Sequence, residues 1–293
     1  MTYKNELNIK NLHFFYEKLH TNIINFLKTR YNRIMFEKVG REVITKLSGL
    51  PYVFGFIGRV LSSSFFFLSR EKAARKILIM QLLFTFIEAL SLVAVLSLAL
   101  GSGLYLVGNS FLLSIGQSSL IYQILVLIMT RELGPLLVAF VVTARSATAI
   151  ATEIGGMVTS HQIESYVSFG IDPIGHLAAP RFLGVTLSVF FLNLYFSFCG
   201  ILGPYVVARF VDPTGSADYF QMLFQALSIQ TILLSISKSL VFGMIISLCS
   251  TYAGFAVIRA STEIPVAGIK AVGNSFLFII LADVLFIVLP FIV

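Results

Sequence analysis

Five long apolar segments constrain the fold of this chain more than any other feature. Each exceeds the roughly 20 residues that a helix needs to cross the hydrocarbon core of a bilayer. Charged residues make up only 12% of the 293 residues, against about 25% in soluble domains. Since backbone groups in lipid must be hydrogen-bonded internally, we predict an all-α membrane protein. Its five transmembrane helices are expected at about 77–107, 118–146, 182–208, 229–257 and 271–293.

The first quarter of the chain is basic. Residues 1–76 carry 14 Lys/Arg and 5 Asp/Glu, whereas residues 77–293 carry 7 and 9. Retention of positive charge in the cytoplasm explains this bias more simply than binding to nucleic acid, so we expect no nucleic-acid partner. The first 30 residues lack the apolar core and cleavage site of a signal peptide. We therefore expect residues 1–76 to form a cytoplasmic and interfacial region that precedes a membrane domain at 77–293.

Residues 50–69 form a shorter apolar segment, interrupted by Arg59 and followed by the basic run REKAARK. We interpret this segment as an amphipathic helix that lies in the membrane interface. An additional membrane span is the alternative.

The basic residues also predict an orientation. With a cytoplasmic N-terminus, the loops 147–181 and 258–270 are inside, and 108–117 and 209–228 are outside. The inner loops contain or border four basic residues, whereas the outer loops hold only Arg209; the four are Arg145, Arg181, Arg259 and Lys270. Five crossings then place the C-terminus outside.

Five ionisable residues fall inside the predicted spans: Glu88, Arg131, Glu132, Lys238 and Asp283. At a rise of about 1.5 Å per residue, all five reach the middle of a core about 30 Å thick. An isolated charge there costs at least about 2.5 kcal/mol, so we expect pairing within the bundle.

The expected pairing follows from positions along the helices. Arg131 and Glu132 are adjacent, about 100° apart on a helix, so each should find a partner on another span. We predict a network that joins them to Lys238 and Asp283, with Glu88 left over. The network either lines a pathway or only fixes the register of the helices.

Gly134 and Pro135 follow this charged pair within one turn. Proline removes a backbone donor and bends a helix, and glycine permits close approach. We expect a bend that opens a space for an amphiphile. Small residues then recur every four positions, either as a dimer seam or as packing within the bundle; they are Ala139, Thr143, Ala147, Ala151 and Gly155.

The loop after the second span contains a short helical stretch, 157–168, that ends at Gly170 and an Asp172-Pro173 turn. Two histidines, His161 and His176, lie in the same loop without a nearby cysteine. Their spacing fits no metal site, and we expect none.

Three stretches of the chain resemble the MlaE-type permease of ABC lipid transporters. They are RELGPLLVAFVVTARSATAIATEIGGM, HQIESYVSFGIDPIGHLAAPR and AVGNSFLFIILADVLF. Glu88, shortly before Ser91, matches a further family position. The resemblance covers about 77–293 and implies a homodimer in the bacterial inner membrane. It also implies two cytosolic ATPase subunits, an Mce-type lipid carrier outside the membrane, and a phospholipid substrate.

The resemblance further implies roles for individual residues. The stretch 153–168 would be a coupling helix on the ATPase, and Arg131, Glu132, Lys238 and Asp283 would lie near a lipid cavity. His161 stands where the family usually has an acidic residue. The residues expected to couple to the ATPase are Glu153, Gly155, Met157, Gln162, Glu164, Gly170, Asp172 and Pro173.

The chain contains no G-x-x-x-x-G-K-[ST] motif, so ATP and Mg²⁺ are expected at the partner subunit and no cofactor on this chain. It also lacks G-x-S-x-G and H-E-x-x-H, so the common serine-hydrolase and zinc-protease interpretations have no support. The main alternative is an ion- or proton-coupled transporter that uses Glu88, Glu132 and Asp283 as a relay. A purely structural membrane scaffold is a third possibility.

Overall fold

The computed structural model describes residues 51–65, 72–117, 120–211, 219–258 and 260–292. Within these ranges every regular element is a helix, which confirms the predicted all-α class. The expectations for the basic residues 1–50 lie outside the described part of the chain.

The chain divides into two compact units, Met1–Gly55 and Phe56–Val293. Residues 51–55 of the first unit are helical and begin α1, and the other helices of the described residues belong to the second unit. In chain order the elements are α1 (51–65), α2 (Lys72–Leu82), π1 (Leu83–Ile87), α3 (Glu88–Ser114), α4 (Leu120–Val126), π2 (Leu127–Leu133), α5 (Gly134–Val142), π3 (Thr143–Ala147), α6 (Thr148–Thr159), α7 (Gln162–Ser168), π4 (Ile174–Ala178), α8 (Ala179–Val211), α9 (Tyr219–Ala226), α10 (Ile229–Phe255) and α11 (Glu263–Ile292).

Consecutive elements join into five helices that are long and apolar enough to cross a membrane, as predicted. They are span 1 (Arg75–Ser114), span 2 (Leu120–Thr159), span 3 (Ile174–Phe210), span 4 (Ile229–Phe255) and span 5 (Glu263–Leu289). Spans 1 and 2 have 40 residues each, or about 60 Å, which is twice the thickness of a hydrocarbon core. The helices of spans 1, 2 and 3 extend beyond the expected bounds, because a helix does not end where its apolar residues end.

Span 3 is the centre of the bundle, where it packs against α3 and α10. Glycines allow the backbones to meet. A side chain at Gly101 would overlap the carbonyl oxygen of Gly200, and one at Gly243 would lie 2.7 Å from the Cα of Thr186. Helices in lipid associate through such close approaches, since water does not drive apolar faces together there.

The stripe of small residues on span 2 lies inside the bundle. Its members are buried within a single copy of the chain, and a side chain at Gly155 would lie 3.1 Å from Val257. This burial favours packing within the bundle over a dimer seam; the stripe is Ala139, Thr143, Ala147, Ala151 and Gly155.

Candidate functional site

A lysine between two carboxylates joins three spans. Lys238 on α10 donates from Nζ to Oε2 of Glu132 on π2, at 2.5 Å, and to Oδ1 of Asp283 on α11, at 2.9 Å. The Lys238 side chain is only 1% exposed. A lysine is seldom buried unless its charge is paired, and here both partners come from neighbouring helices. We call Arg131, Glu132, Lys238 and Asp283 the central cluster.

The three paired residues lie at similar heights in the bundle. At about 1.5 Å per residue, Lys238 is about 14 Å from Ile229, and Asp283 is about 14 Å from Ile292. Glu132 is about 18 Å from Leu120 by the same rise. All three distances run from the helix ends that the orientation predicts to be outside. Charges from spans 2, 4 and 5 thus meet at similar distances from these helix ends.

Arg131 behaves differently from the sequence expectation. Its Nε lies 3.1 Å from Oε1 of its neighbour Glu132, although the geometry is not that of an aligned hydrogen bond. Both residues belong to π2, and a π-helical turn holds more residues than an α-turn, so consecutive side chains lie closer in angle. The poor alignment agrees with the expectation that adjacent residues cannot satisfy each other well, but the closest carboxylate to Arg131 is that of its own neighbour and not one on another span. The Arg131 side chain stays 23% exposed.

Glu88 is paired outside the central cluster. Its Oε2 accepts from Nη2 of Arg145 at 2.7 Å, and its carbonyl oxygen accepts from Nη1 at 2.6 Å. Sequence reasoning left Glu88 without a partner because it assigned Arg145 to the edge of a loop. Arg145 instead lies in π3, inside the continuous helix of span 2. Two-point attachment here joins spans 1 and 2.

Gly134 and Pro135 lie at a closely packed point of span 2. Both are buried, and the N–H of Gly134 donates to the carbonyl of Met129, which closes the π2 turn just before the proline. A side chain at Gly134 would lie 2.8 Å from Oδ1 of Asn193 on span 3. The glycine therefore allows spans 2 and 3 to approach each other closely.

Asn193 is a polar residue that the sequence analysis missed. Its Nδ2 donates to Oγ of Ser235 at 2.9 Å, so it links spans 3 and 4 one turn from Lys238. The side chain is fully buried. The signal that could have identified it is an Asn inside a predicted span, but only ionisable residues were considered there.

A second ion pair lies near the end of span 2 that is predicted to be cytoplasmic. Arg181 at the start of span 3 contacts Oε1 of Glu153 through Nη2 at 2.8 Å, and its Nη1 donates to the carbonyl of Leu177 at 3.1 Å. The guanidinium-bearing side chain is only 3% exposed. Glu153, expected to face the ATPase, is thus also a partner for a buried cation.

The expected coupling helix is divided into two pieces. Residues 157–159 complete α6, whereas α7 begins at Gln162. His161 between them adopts a left-handed conformation with φ of 59°, which costs a non-glycine residue about 1–2 kcal/mol. Its Nδ1 lies 2.9 Å from Oε2 of Glu164. A histidine in this position therefore turns the chain, which the sequence alone did not predict.

The segment around α7 is exposed. None of the α7 residues is buried, and Phe169 just after it is 81% exposed. Gly170 has a positive φ of 74°, which glycine adopts without strain. Asp172 accepts from the N–H groups of Ile174 and Gly175, and so caps the helix that leads into span 3.

One ion pair connects this segment to α1. Nη2 of Arg59 donates to Oδ1 of Asp172 at 3.1 Å. Phe56, one turn earlier on α1, packs edge-on against Tyr252 and Phe255 of span 4. The second half of α1 is thereby held against spans 3 and 4.

The five long helices and the ion pairs buried between them define a multi-pass helical membrane protein. A family model described as Permease MlaE matches residues 78–289. The chain therefore belongs to the MlaE permease family. It is a transmembrane permease component of the ABC transporter class, in which a separate subunit is the ATPase.

Individual relatives agree with this membership. A probable ABC transporter permease of Rickettsia typhi is 30% identical over 205 residues, which is 70% of this chain and 79% of that protein. The intermembrane phospholipid transport system permease protein MlaE of Haemophilus influenzae is 25% identical over 67% of this chain and 76% of its own. The chloroplastic protein trigalactosyldiacylglycerol 1 of Arabidopsis thaliana is 30% identical over 58% of this chain and 48% of its own.

Proposed function

We propose that this chain is the permease subunit of an ABC transporter that moves phospholipid between the bacterial inner membrane and an extracytoplasmic Mce-type carrier. The observation that carries the proposal is the similarity to the Haemophilus protein, whose name states intermembrane phospholipid transport and of which 76% is matched. The working unit is a homodimer with two cytosolic ATPase subunits. The N-terminus lies in the cytoplasm and the C-terminus in the periplasm.

The geometry of the central cluster supports different roles for its two cations, Lys238 and Arg131. Lys238 is enclosed by two carboxylates and braces the helices. Arg131 has one loosely aligned contact and a partly exposed side chain. Arginine presents five N–H donors in a planar fork that suits phosphate oxygens. In this proposal Arg131 faces the lipid pathway and Lys238 does not.

The exposed segment around α7 supports coupling to the ATPase. A partner that covers it would bury Phe169 and contact Gln162 and Glu164. Movement of this segment would reach span 2 through α6 and span 3 through the Asp172 cap. ATP and Mg²⁺ are bound by the partner, and this chain binds no cofactor of its own.

Co-purification and lipid-stimulated ATP hydrolysis test the proposal. The chain should co-purify with an ATPase whose activity rises when phospholipid is added, and mass spectrometry should detect bound phospholipid. Phe169→Ser should weaken retention of the ATPase because it removes exposed apolar area from the α7 segment. Phe210→Ser is the matched control, because Phe210 is equally exposed at the opposite end of the bundle. A complex that retains neither ATPase nor lipid contradicts the proposal.

A proton-coupled carrier makes different predictions. It would need carboxylates that gain and lose protons during transport, whereas Glu88, Glu132 and Asp283 each lie within 2.9 Å of a cation. This pairing favours a structural or substrate-facing role over a relay. Transport that follows a pH gradient without any ATPase would favour the carrier instead.

A further inference from the structure

A cavity of about 740 Å³ lies among the ends of spans 1, 2 and 3 that are predicted to be cytoplasmic. Its volume falls within the range of sites that hold small ligands. Glu153, on its wall, is about 30 Å along span 2 from Glu132, at about 1.5 Å per residue. The cavity is therefore separate from the central cluster.

The polar part of the wall carries a net positive charge. Lys76 and Arg181 both line the cavity, and Glu153 balances only one of them. Arg181 is almost fully buried, and its contacts to Glu153 and to Leu177 occupy only part of a guanidinium group that has five N–H donors. An anionic group that entered the cavity would meet Lys76 and the guanidinium together.

The rest of the wall is apolar and reaches the surface of the molecule. Met80 and Phe84 of span 1 line the cavity, yet they are 60% and 40% exposed. Ile150 of span 2 lines it from the buried side. A ligand could therefore place an anionic head inside and an apolar chain along span 1.

We infer that this cavity binds one phospholipid of the cytoplasmic leaflet by its anionic headgroup. The inference rests on the proposed function and adds a second lipid site to it. The headgroup pairs with Lys76 and Arg181, and an acyl chain lies against Met80 and Phe84. Met157 lines the same cavity and lies in the last turn of α6, a few residues before α7 begins. A lipid in this site would therefore contact the helix that leads to the segment proposed to face the ATPase.

Photo-crosslinking of the complete permease–ATPase complex tests the site. The complex is placed in nanodiscs that contain phosphatidylglycerol with a diazirine on its acyl chain, irradiated, and digested for mass spectrometry. Labels are expected on the peptides that contain Met80 and Ile150. Lys76→Gln should lower this labelling roughly two- to fivefold, the usual range for one exposed charge pair. Lys270→Gln, which removes an exposed lysine elsewhere on the predicted cytoplasmic side, should not change it.

A steric variant gives an independent test. Ala149→Phe places a ring in the cavity and should reduce labelling while the ATPase still co-purifies. Equal labelling of the unaltered chain, Lys76→Gln and Ala149→Phe would overturn the inference, because it would indicate contact with bulk lipid. Equal labelling by diazirine phosphatidylcholine would overturn the role of the anionic head. Complete competition by inorganic phosphate would indicate a site for the free anion.

The outcomes also separate this inference from the proposed function. Loss of cavity labelling in a complex that still shows lipid-stimulated ATP hydrolysis would overturn the second site alone. Absence of lipid-stimulated hydrolysis in the unaltered complex would overturn the proposed function.

Discussion

The ammonium group of Lys238 lies 2.9 Å from the carboxylate of Asp283, and this contact ties span 5 to the centre of the bundle. Span 5 exposes most of its apolar side chains, including Leu277, Leu281 and Leu285. Apolar burial contributes little to holding such a peripheral helix in lipid. The charge pair therefore acts together with the packing of α11 against α10 and α6 to position span 5.

Removing the lysine should destabilise the protein strongly. Lys238→Met leaves Glu132 and Asp283 facing each other without a cation, and breaking such a buried group costs about 3–5 kcal/mol. Thermal unfolding in detergent should show a clear fall in Tm. Lys238→Met combined with Glu132→Gln and Asp283→Asn removes the unpaired charges and should recover most of that loss. A triple variant as unstable as the single one would contradict this account.

Exchanging the charges of Glu132 and Lys238 should give only partial rescue. Glu132→Lys with Lys238→Glu restores one pair but sets the new glutamate beside Asp283. Adding Asp283→Asn should improve both yield and Tm because it removes that repulsion. Full recovery by the double exchange alone would show that Asp283 contributes little.

A methyl group at Gly134 should separate spans 2 and 3. The added carbon would lie 2.8 Å from Oδ1 of Asn193, too close for two unbonded atoms. Overpacking of this kind costs about 1–3 kcal/mol, so Gly134→Ala should lower Tm. Gly103→Ala is the matched control, because it also places alanine in a helix but meets no neighbour within 4 Å. Similar effects of the two substitutions would contradict the packing argument.

Neutralising Glu88 should weaken a helix contact without abolishing transport. Glu88→Gln keeps an acceptor for Arg145, and because both side chains are more than 40% exposed the loss should be about 0.5–1 kcal/mol. Lipid-stimulated ATP hydrolysis should persist at a substantial fraction of the original rate. Complete loss of transport with normal stability would instead support a proton relay through Glu88.

Ionisation of the Tyr219 hydroxyl should lower the stability of the folded protein at alkaline pH. Burial, with a smaller effect from the neighbouring Tyr105 and Tyr122, raises the pKa of its hydroxyl, which donates to the carbonyl of Ile201 at 2.9 Å. A tyrosine in the unfolded chain titrates at about pH 10. The contribution of the protonated Tyr219 hydroxyl to the free energy of unfolding is therefore complete below that pH and is lost as the pH rises above it.

The Tyr219→Phe variant isolates this contribution. It should be less stable by about 1 kcal/mol at neutral pH, where the hydrogen bond is lost. The difference in Tm between the two proteins should narrow above about pH 10. A constant difference from pH 8 to pH 11 would exclude a role for this hydroxyl in the alkaline transition.

Much of the architecture could be predicted because a helix that crosses a membrane needs a long run of apolar residues, which is visible in the sequence. The five spans were found from apolar length alone, and the position of Glu132, Lys238 and Asp283 along their helices indicated where they would meet. The partner of Glu88 was not found, because the boundary of span 2 was drawn at the last apolar residues and left Arg145 outside.

Local backbone geometry was the part that the sequence did not reveal. The π-helical turn that brings Arg131 beside Glu132 packs against both span 3 and span 4, and Gly134 fits tightly against Asn193 of span 3. The break at His161 could not be anticipated, because histidine has no general preference for a left-handed conformation as strong as that of glycine. Such features depend on tertiary contacts that no single segment encodes.

The length of spans 1 and 2 has a mechanical consequence. A stiff rod of about 60 Å that pivots by about 5° at one end moves its other end by about 5 Å, since each residue adds about 1.5 Å of length. A small rotation at the tip that is predicted to be cytoplasmic would give a displacement at the other end comparable to the width of an acyl chain.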